Sequence, residues 1–176
     1  HKAIVSRQYQ PTSGIAFIVF DPKIREIFAA PFRDRVVHHY IYDNVMEWWD
    51  RRLIYDSYSC RKGKGALLGV RRLYHFMQRE SDNFTKKAHI IKLDLKSYFM
   101  SMSRKKLYAR ATWGLDRQFA DGGYKYDVLK FLWRQVIFDD PTLTVRRRGT
   151  KADWAKLPYD KSLFNQPSGQ GIVIGN

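Results

Sequence analysis

The sequence contains very little cysteine and no long apolar run. Its 176 residues include a single cysteine, Cys60, so no disulfide can form within the chain, which fits a reducing cytosol. We find no apolar stretch long enough to span a membrane, no signal-peptide pattern and no Lys-rich amphipathic tail. A cytoplasmic protein that does not bind membranes is therefore expected. Internal repeats and low-complexity tracts are also absent from the sequence.

Acidic residues are scarce relative to basic ones. Seventeen Asp and Glu stand against 32 Lys and Arg, which gives a formal net charge of +15. Such an excess of one sign destabilises a compact state by self-repulsion unless a polyanion is the natural partner. Nucleic acid is the leading candidate. With 44% hydrophobic and 15% aromatic residues, the chain has enough material for the core of one domain or two small lobes.

The hydrophobic pattern predicts a chain of mixed α and β structure. Residues 15–20 form an apolar run, a turn follows at Asp21 and Pro22, and an extended pattern resumes over residues 25–30, which predicts a β-hairpin. Four helices are predicted. The first runs from Pro31 onward with an apolar stripe of Val37, Ile41, Val45 and Trp48, and the second has the stripe Ala66, Val70, Leu73 and Met77. The third runs from a Ser103 cap towards Gly114, and the fourth spans residues 126–137. Residues 139–165 are predicted to be irregular, with Arg146, Arg147 and Arg148 either in a solvated loop or in contact with a nucleic-acid backbone.

A loop rich in glycine and positive charge precedes the second predicted helix. It contains Arg61, Lys62 and Lys64 beside Gly63 and Gly65. Unpaired N–H groups, the helix dipole and these cations favour a phosphate at that position. The spacing does not fit GxxxxGK[ST] and misses GxGxxG by one residue, so a Rossmann-like nucleotide enzyme is a poorly supported alternative. A solvated basic turn is the structural alternative.

One carboxylate, Asp94, lies inside a segment that is otherwise apolar and basic. Residues 90–99 read IIKLDLKSYF, a pattern that predicts a buried strand. An ionised Asp in that setting costs several kcal/mol unless something compensates its charge. Lys92 or Lys96, a ring of backbone N–H groups, or a metal ion could do so. Taken alone, the segment favours an ordinary salt bridge.

Four segments carry motif-like patterns in a fixed order. They are DPKIREIFAAPFRDRVVHH at residues 21–39, SYSCRKGKG at 57–65, DLKSYF at 94–99 and GIVIGN at 171–176, the last preceded by Trp154, Leu157, Pro158 and KSLF at 161–164. Together they resemble the bacterial reverse transcriptases, the family of retrons, group II introns and diversity-generating retroelements. The likeness is greatest to the diversity-generating and phage-defence groups. Ile172 and Val173 depart from the family's GLPIGN by replacing Leu and Pro.

This resemblance implies an α+β fold comprising the fingers and an incomplete palm of a right-hand polymerase. Residues 1–88 would be fingers, and residues 89–176 an incomplete palm with a connecting segment that returns toward the fingers. The family's YxDD motif is expected downstream of Asn176. Asp139 and Asp140 do not replace it, because they precede the GLPIGN-like segment and are followed by Pro141, which indicates a turn. The 176 residues alone are therefore expected not to polymerise.

The resemblance also implies an activity, RNA-directed DNA polymerisation by two-metal nucleotidyl transfer. Asp94 and the Leu95 carbonyl would hold Mg²⁺, with Mn²⁺ as a substitute. Lys23 and Arg25 would hold the triphosphate of a deoxynucleoside triphosphate. An RNA template and a DNA or RNA primer are the implied partners, and an accessory protein is a further candidate.

Three more residues receive roles from the same resemblance. Phe99 would lie beneath the sugar of the incoming nucleotide and exclude a 2′-hydroxyl, and Gln170 and Gly171 would lie beside that nucleotide. Taken alone, residues 98–100 could equally be core. The alternative function is a noncatalytic, basic nucleic-acid-binding module, which would not need Asp94.

Overall fold

The computed structural model describes residues 2–173, and it confirms the α+β class. The strands are β1 (Ile15–Val19), β2 (Arg25–Ala29) and β3 (Arg146–Arg147). The helices are α1 (Lys2–Val5), α2 (Phe32–Asp50), α3 (Ala66–Glu80), α4 (Tyr98–Ser101), α5 (Arg104–Gln118), α6 (Tyr124–Phe138) and α7 (Lys151–Ala155), with 3₁₀ turns at Pro141–Leu143, Tyr159–Lys161 and Leu163–Asn165.

The chain divides into two compact units. One is Met46–Asp94, and the other joins the residues up to Val45 with those from Leu95 onward. The predicted boundary between residues 88 and 89 lies near the end of the smaller unit, Met46–Asp94. The predicted division nevertheless differs from the observed one, because the N-terminal hairpin belongs to the same unit as the C-terminal half.

A three-stranded sheet in the order β2-β1-β3 forms the centre of the larger unit. Strands β1 and β2 pair antiparallel, from Ile15 opposite Ala29 to Val19 opposite Arg25, which confirms the predicted hairpin. Strand β3 pairs parallel to β1. Of the three arginines predicted to lie in an irregular segment, Arg146 and Arg147 therefore form a strand of the sheet, and Arg148 follows that strand. This pairing joins distant parts of the chain, so the local pattern did not indicate it.

The core of this unit lies between the hairpin and residues far along the chain. Its buried members are Ala16, Phe28, Met100 and Leu163. Val145, Trp154 and Phe164 pack against them. Burial of this inner sheet face explains why the hairpin joins the C-terminal half, since apolar surface removed from water contributes about 25 cal/mol per Å².

A buried carboxylate fixes the hairpin to the same partners. Glu26 is 1% exposed and accepts hydrogen bonds from the Ser162 hydroxyl at 2.9 Å and the Leu163 N–H at 2.6 Å. Burial raises the pKa of Glu26, and it outweighs these hydrogen bonds and the charge of Arg147, which act to lower it. Strand β2 is thus joined to residues 162 and 163 by polar as well as apolar contacts.

The predicted helices of the larger unit are confirmed. Helix α2 buries Val37, Ile41 and Val45 as its period predicts. The Ser103 hydroxyl caps α5 by accepting from the Lys106 N–H, a typical N-cap contact. Helices α5 and α6 pack together, and their fully buried side chains include Leu115, Leu129 and Leu132.

Asp34, near the start of α2, connects that helix to the N-terminal segment. It is 1% exposed and accepts from the Tyr9 hydroxyl at 2.9 Å, from the Thr12 N–H and hydroxyl at 2.7 and 2.6 Å, and from Arg33 Nε at 3.2 Å. Burial alone would raise the pKa of Asp34, but these hydrogen bonds outweigh it and hold the pKa below its usual value.

Asp34 should therefore make the fold sensitive to acid. Because its folded-state pKa is lowered, its contribution to stability is complete above the unfolded value of 3.8 and is lost as the pH falls through the folded-state pKa. Asp34→Asn should lower the free energy of unfolding by about 1–3 kcal/mol near neutral pH. The side-chain NH₂ group of Asn would face hydrogen-bond donors and find no acceptor. Urea denaturation should show this difference shrinking as the pH falls below 3.8. Asp121→Asn, at an exposed loop position, is the control, and a difference independent of pH would contradict the assignment.

In the smaller unit, two predictions about burial are wrong. Helix α3 forms, but none of its residues is buried, and Val70 and Leu73 of the predicted stripe are exposed. Residues 90–95 form no strand, and Ile91 and Leu93 are 82% and 88% exposed. An apolar strand is buried only when neighbouring strands pair with it. Within the described range, 2–173, no strand pairs with this segment.

Candidate nucleotide and nucleic-acid site

Asp94 is the last residue of the smaller unit, and Leu95 begins the next stretch of the larger one. The carboxylate is exposed, so the argument that burial demands a compensating cation does not hold. The salt-bridge alternative is also wrong, because neither Lys92 nor Lys96 forms an ion pair with Asp94 in the part of the chain that is described. Only the motif still assigns chemistry to this residue.

The residues expected to bind Mg²⁺ do not form a complete site by themselves. Asp94 and the Leu95 carbonyl offer two kinds of oxygen ligand, whereas Mg²⁺ requires about six, of which several are water or substrate oxygens. No group of three or more His, Cys, Asp or Glu side chains within residues 2–173 is placed to hold a metal ion.

Phe99, Gln170 and Gly171, predicted to share a site, lie together in the larger unit. The Ile172 N–H donates to the Phe99 carbonyl at 3.0 Å, and the Gly171 N–H donates to the Met102 carbonyl at 2.9 Å. Gln170 forms a β-bridge with Ser103. Residues 170–172, where the GIVIGN motif begins, are therefore paired along their backbone with residues 99–103.

Arg104 holds this pairing from the inside. Its side chain is buried, its Nε donates to the Gly171 carbonyl at 2.9 Å, and its Nη1 donates to the Asp139 carbonyl at 2.8 Å. Its backbone N–H donates to the Gly169 carbonyl at 3.0 Å. Both the N–H and the C=O of Gly171 are thus used within the fold.

Phe99 itself is not a core residue. It is 45% exposed, whereas the next residue, Met100, belongs to the buried core. Its ring meets Tyr98 edge-on, with centroids 5.5 Å apart. The alternative that residues 98–100 are all core is therefore wrong for Phe99, and its ring is accessible to a ligand.

The hairpin carries two exposed cations in the same unit. Lys23 and Arg25 are exposed, and neither forms a hydrogen bond or ion pair through its side chain with any other residue between 2 and 173. Arg25 lies on the opposite sheet face from Glu26 and Phe28, as the alternation along β2 requires. Both cations are free to bind an anion.

The basic loop of the smaller unit is organised differently from the prediction. All five N–H donors of Arg61 are engaged, with both Asp50 carboxylate oxygens and with the carbonyls of Asp50, Ile54 and Ser57. Its side chain is 8% exposed. No donor is left for a phosphate, so the predicted role of Arg61 does not hold.

The two lysines of that loop differ from each other. Lys64 Nζ donates to the Tyr55 carbonyl at 2.8 Å and lies 3.4 Å from the centroid of the Tyr55 ring. Lys62 is exposed. Of the three predicted cations, Lys62 retains a fully available charge and Lys64 a partly available one.

A cavity of about 280 Å³ in the larger unit is a further feature that the sequence did not indicate. Its lining is mainly apolar and includes Asp34, His38, Arg104 and Asp139. Burial lowers the pKa of His38 and raises that of Asp139. These residues come from α2, α5 and the end of α6, so no local sequence pattern could have assembled them.

Asp140 occupies a turn, as Pro141 predicted. Its carboxylate accepts from the Thr142 N–H at 3.2 Å and the Thr142 hydroxyl at 2.7 Å, which caps the 3₁₀ turn that follows. The carboxylate of Asp140 is therefore explained by local structure.

No family model matches the chain, and neither a curated protein nor a solved structure matches it. The likeness to reverse transcriptases thus depends on the sequence motifs alone. Among residues 2–173, no helix is long and apolar enough to cross a membrane.

Proposed function

We propose that this chain is the fingers and first palm segment of an RNA-directed DNA polymerase of the reverse transcriptase family. The observation that carries the proposal is the set of four motif segments in family order. The placement of three of them supports it: within the larger unit, the hairpin, residues 97–102 and residues 169–172 surround one core, of Ala16, Phe28, Met100 and Leu163.

The contacts around residues 159–163 connect these segments. The Ser97 hydroxyl donates to Asp160 Oδ2 and accepts from Lys161 Nζ, both at 3.0 Å. Ser162 and Leu163 bind Glu26 on β2. The same short stretch thus holds the strand that bears Arg25 and the chain that leads into Phe99.

In the proposed enzyme, the residues of this chain bind and orient the nucleotide. Arg25 and Lys23 hold the triphosphate, for which the planar fork of arginine gives two hydrogen bonds to phosphate oxygens. Phe99 contacts the sugar. Asp94 and Leu95 would contribute ligands to Mg²⁺, which would supply charge neutralisation of the triphosphate, and further carboxylates would be needed to complete the site.

Primer extension by the protein that the complete gene encodes tests the proposal. With an RNA template, an annealed DNA primer, deoxynucleoside triphosphates and Mg²⁺, we expect elongation that requires the metal. A protein that binds the template and primer but never elongates the primer, with Mg²⁺ or Mn²⁺, would instead be the noncatalytic nucleic-acid-binding module.

A further inference from the structure

The arginine cluster at residues 146–148 lies at a free edge of the sheet. Strand β3 is an edge strand, and the N–H groups of Arg146 and Arg148 donate to the carbonyls of Gly14 and Ala16 on β1 at 3.2 and 2.7 Å. All three arginine side chains are exposed. The cluster is therefore held by its backbone while its charges face solvent.

The middle arginine has a role of its own. Arg147 lies opposite Ala16 in the sheet register and so projects on the core side. Its guanidinium lies 3.6 Å from the centroid of the Phe164 ring and 5.1 Å from that of Trp154. The Trp154 indole N–H donates to the Arg148 carbonyl at 3.0 Å. Arg147 thus fixes the strand against the core.

The outer two arginines project on the other face. Arg146 lies on that face of β3. Arg148 directly follows the strand, and its N–H continues the ladder by donating to the Ala16 carbonyl, so we expect the Cα atoms of the two residues to lie about 7 Å apart with their side chains on one side. Neither forms an ion pair with any acidic residue in the described range. The nearest acidic residue that follows in sequence, Asp153, is engaged in the capping box of α7 with Thr150. Neither guanidinium group is therefore compensated by an ion pair within residues 2–173.

We infer that Arg146 and Arg148 form a binding surface for the phosphate backbone of a single-stranded nucleic acid. Their separation is comparable to the spacing of successive phosphates along an extended strand. Arginine pairs bidentately with phosphate, and the net charge of +15 favours a polyanion over other partners. The inference rests on the proposed function only in that the partner is a nucleic acid. It assigns a contact separate from the nucleotide-binding residues.

The test uses a fluorescently labelled, mixed-sequence single-stranded RNA. Its affinity for this chain is measured by fluorescence anisotropy at salt concentrations from about 50 to about 200 mM. Each phosphate contact on a single strand contributes about 0.7 to the slope of log affinity against log salt. The variant R146Q/R148Q should therefore lower the slope by about 1.4 and the affinity roughly tenfold. Arg147 is left in place because it contacts the core.

A charge-matched control keeps the result specific. The variant K105Q/R134Q removes two exposed charges from α5 and α6 and should leave the slope and affinity nearly unchanged. Melting temperatures of both variants should equal that of the wild type, since the altered side chains are exposed.

Several outcomes would overturn the inference. The first three are an unchanged slope in R146Q/R148Q, an equal loss of affinity in the control variant, and the absence of RNA binding by the wild type. The fourth is that Arg146 and Arg148 are needed for binding to phosphatidylserine vesicles but not for binding to RNA. The last outcome would assign the surface to a membrane. None of these results decides primer extension, so failure here is distinguishable from failure of the proposed function.

Discussion

In the proposed polymerase, replacing Asp94 by Asn should abolish primer extension. The change keeps the size of the side chain and removes the charge that a metal ion requires. Metal ions contribute several kcal/mol of charge stabilisation to such reactions, so the rate should fall roughly 10³-fold or more. The measurement is single-nucleotide incorporation on an RNA template. Because Asp94 is exposed, the melting temperature should not change.

The exposed Asp82 of the same unit provides the matched control. It forms an ion pair with Lys86 at 3.1 Å, and an exposed pair of this kind contributes little to stability. Asp82→Asn should extend primers at the wild-type rate. If Asp94→Asn did so as well, the carboxylate would have no catalytic role, and the noncatalytic binding module would become the better description.

Gly171→Ala should strongly destabilise the larger unit. Gly171 has φ of +80°, and a Cβ at this position would overlap Cδ1 of the buried Leu163 and lie 3.4 Å from the Met100 carbonyl oxygen. The left-handed backbone costs an alanine about 1–2 kcal/mol, and overpacking of the core adds about 1–3 kcal/mol. The free energy of unfolding, measured in urea, should fall by the sum of the two.

Gly169 separates these two causes. It has φ of +77°, and a Cβ there would meet no atom within 4 Å. Gly169→Ala should therefore cost only the backbone contribution of about 1–2 kcal/mol. Adding Leu163→Val to Gly171→Ala should restore part of the stability that Gly171→Ala removes. A double-mutant cycle measures this coupling. Equal losses for the two glycine variants would show that Leu163 does not restrict position 171.

The elements that the sequence predicted well depend on neighbours in the chain. The hairpin follows from two extended runs and a turn, and α2 and α5 follow from their apolar period and, for α5, the Ser103 cap. The pairing of β3 with β1 and the contact of Glu26 with Leu163, 137 residues apart, depend on distant partners. Local patterns contain no information about such partners, so both were missed.

The same limit explains the errors in the candidate site. Residues 90–95 have the composition of a buried strand, but burial depends on strands that must pair with them from elsewhere. Arg61 was expected to bind phosphate because it lies among glycines and lysines, whereas its partner Asp50 lies eleven residues earlier. The nucleotide contacts that the motifs assign to Phe99 and Gly171 stay predictions, and the structure adds only that the two segments are joined by backbone hydrogen bonds.

The bond between Glu26 and Leu163 also has a consequence for synthesis on the ribosome. The hairpin is translated early, but the Leu163 N–H that satisfies Glu26 is made 137 residues later, which takes roughly 10 s at usual elongation rates. Until then the inner face of the hairpin has neither its apolar cover nor its hydrogen-bond donors. The nascent larger unit therefore completes its folding only after residue 163 has left the exit tunnel, and the apolar inner face of its hairpin is exposed to chaperones until that point.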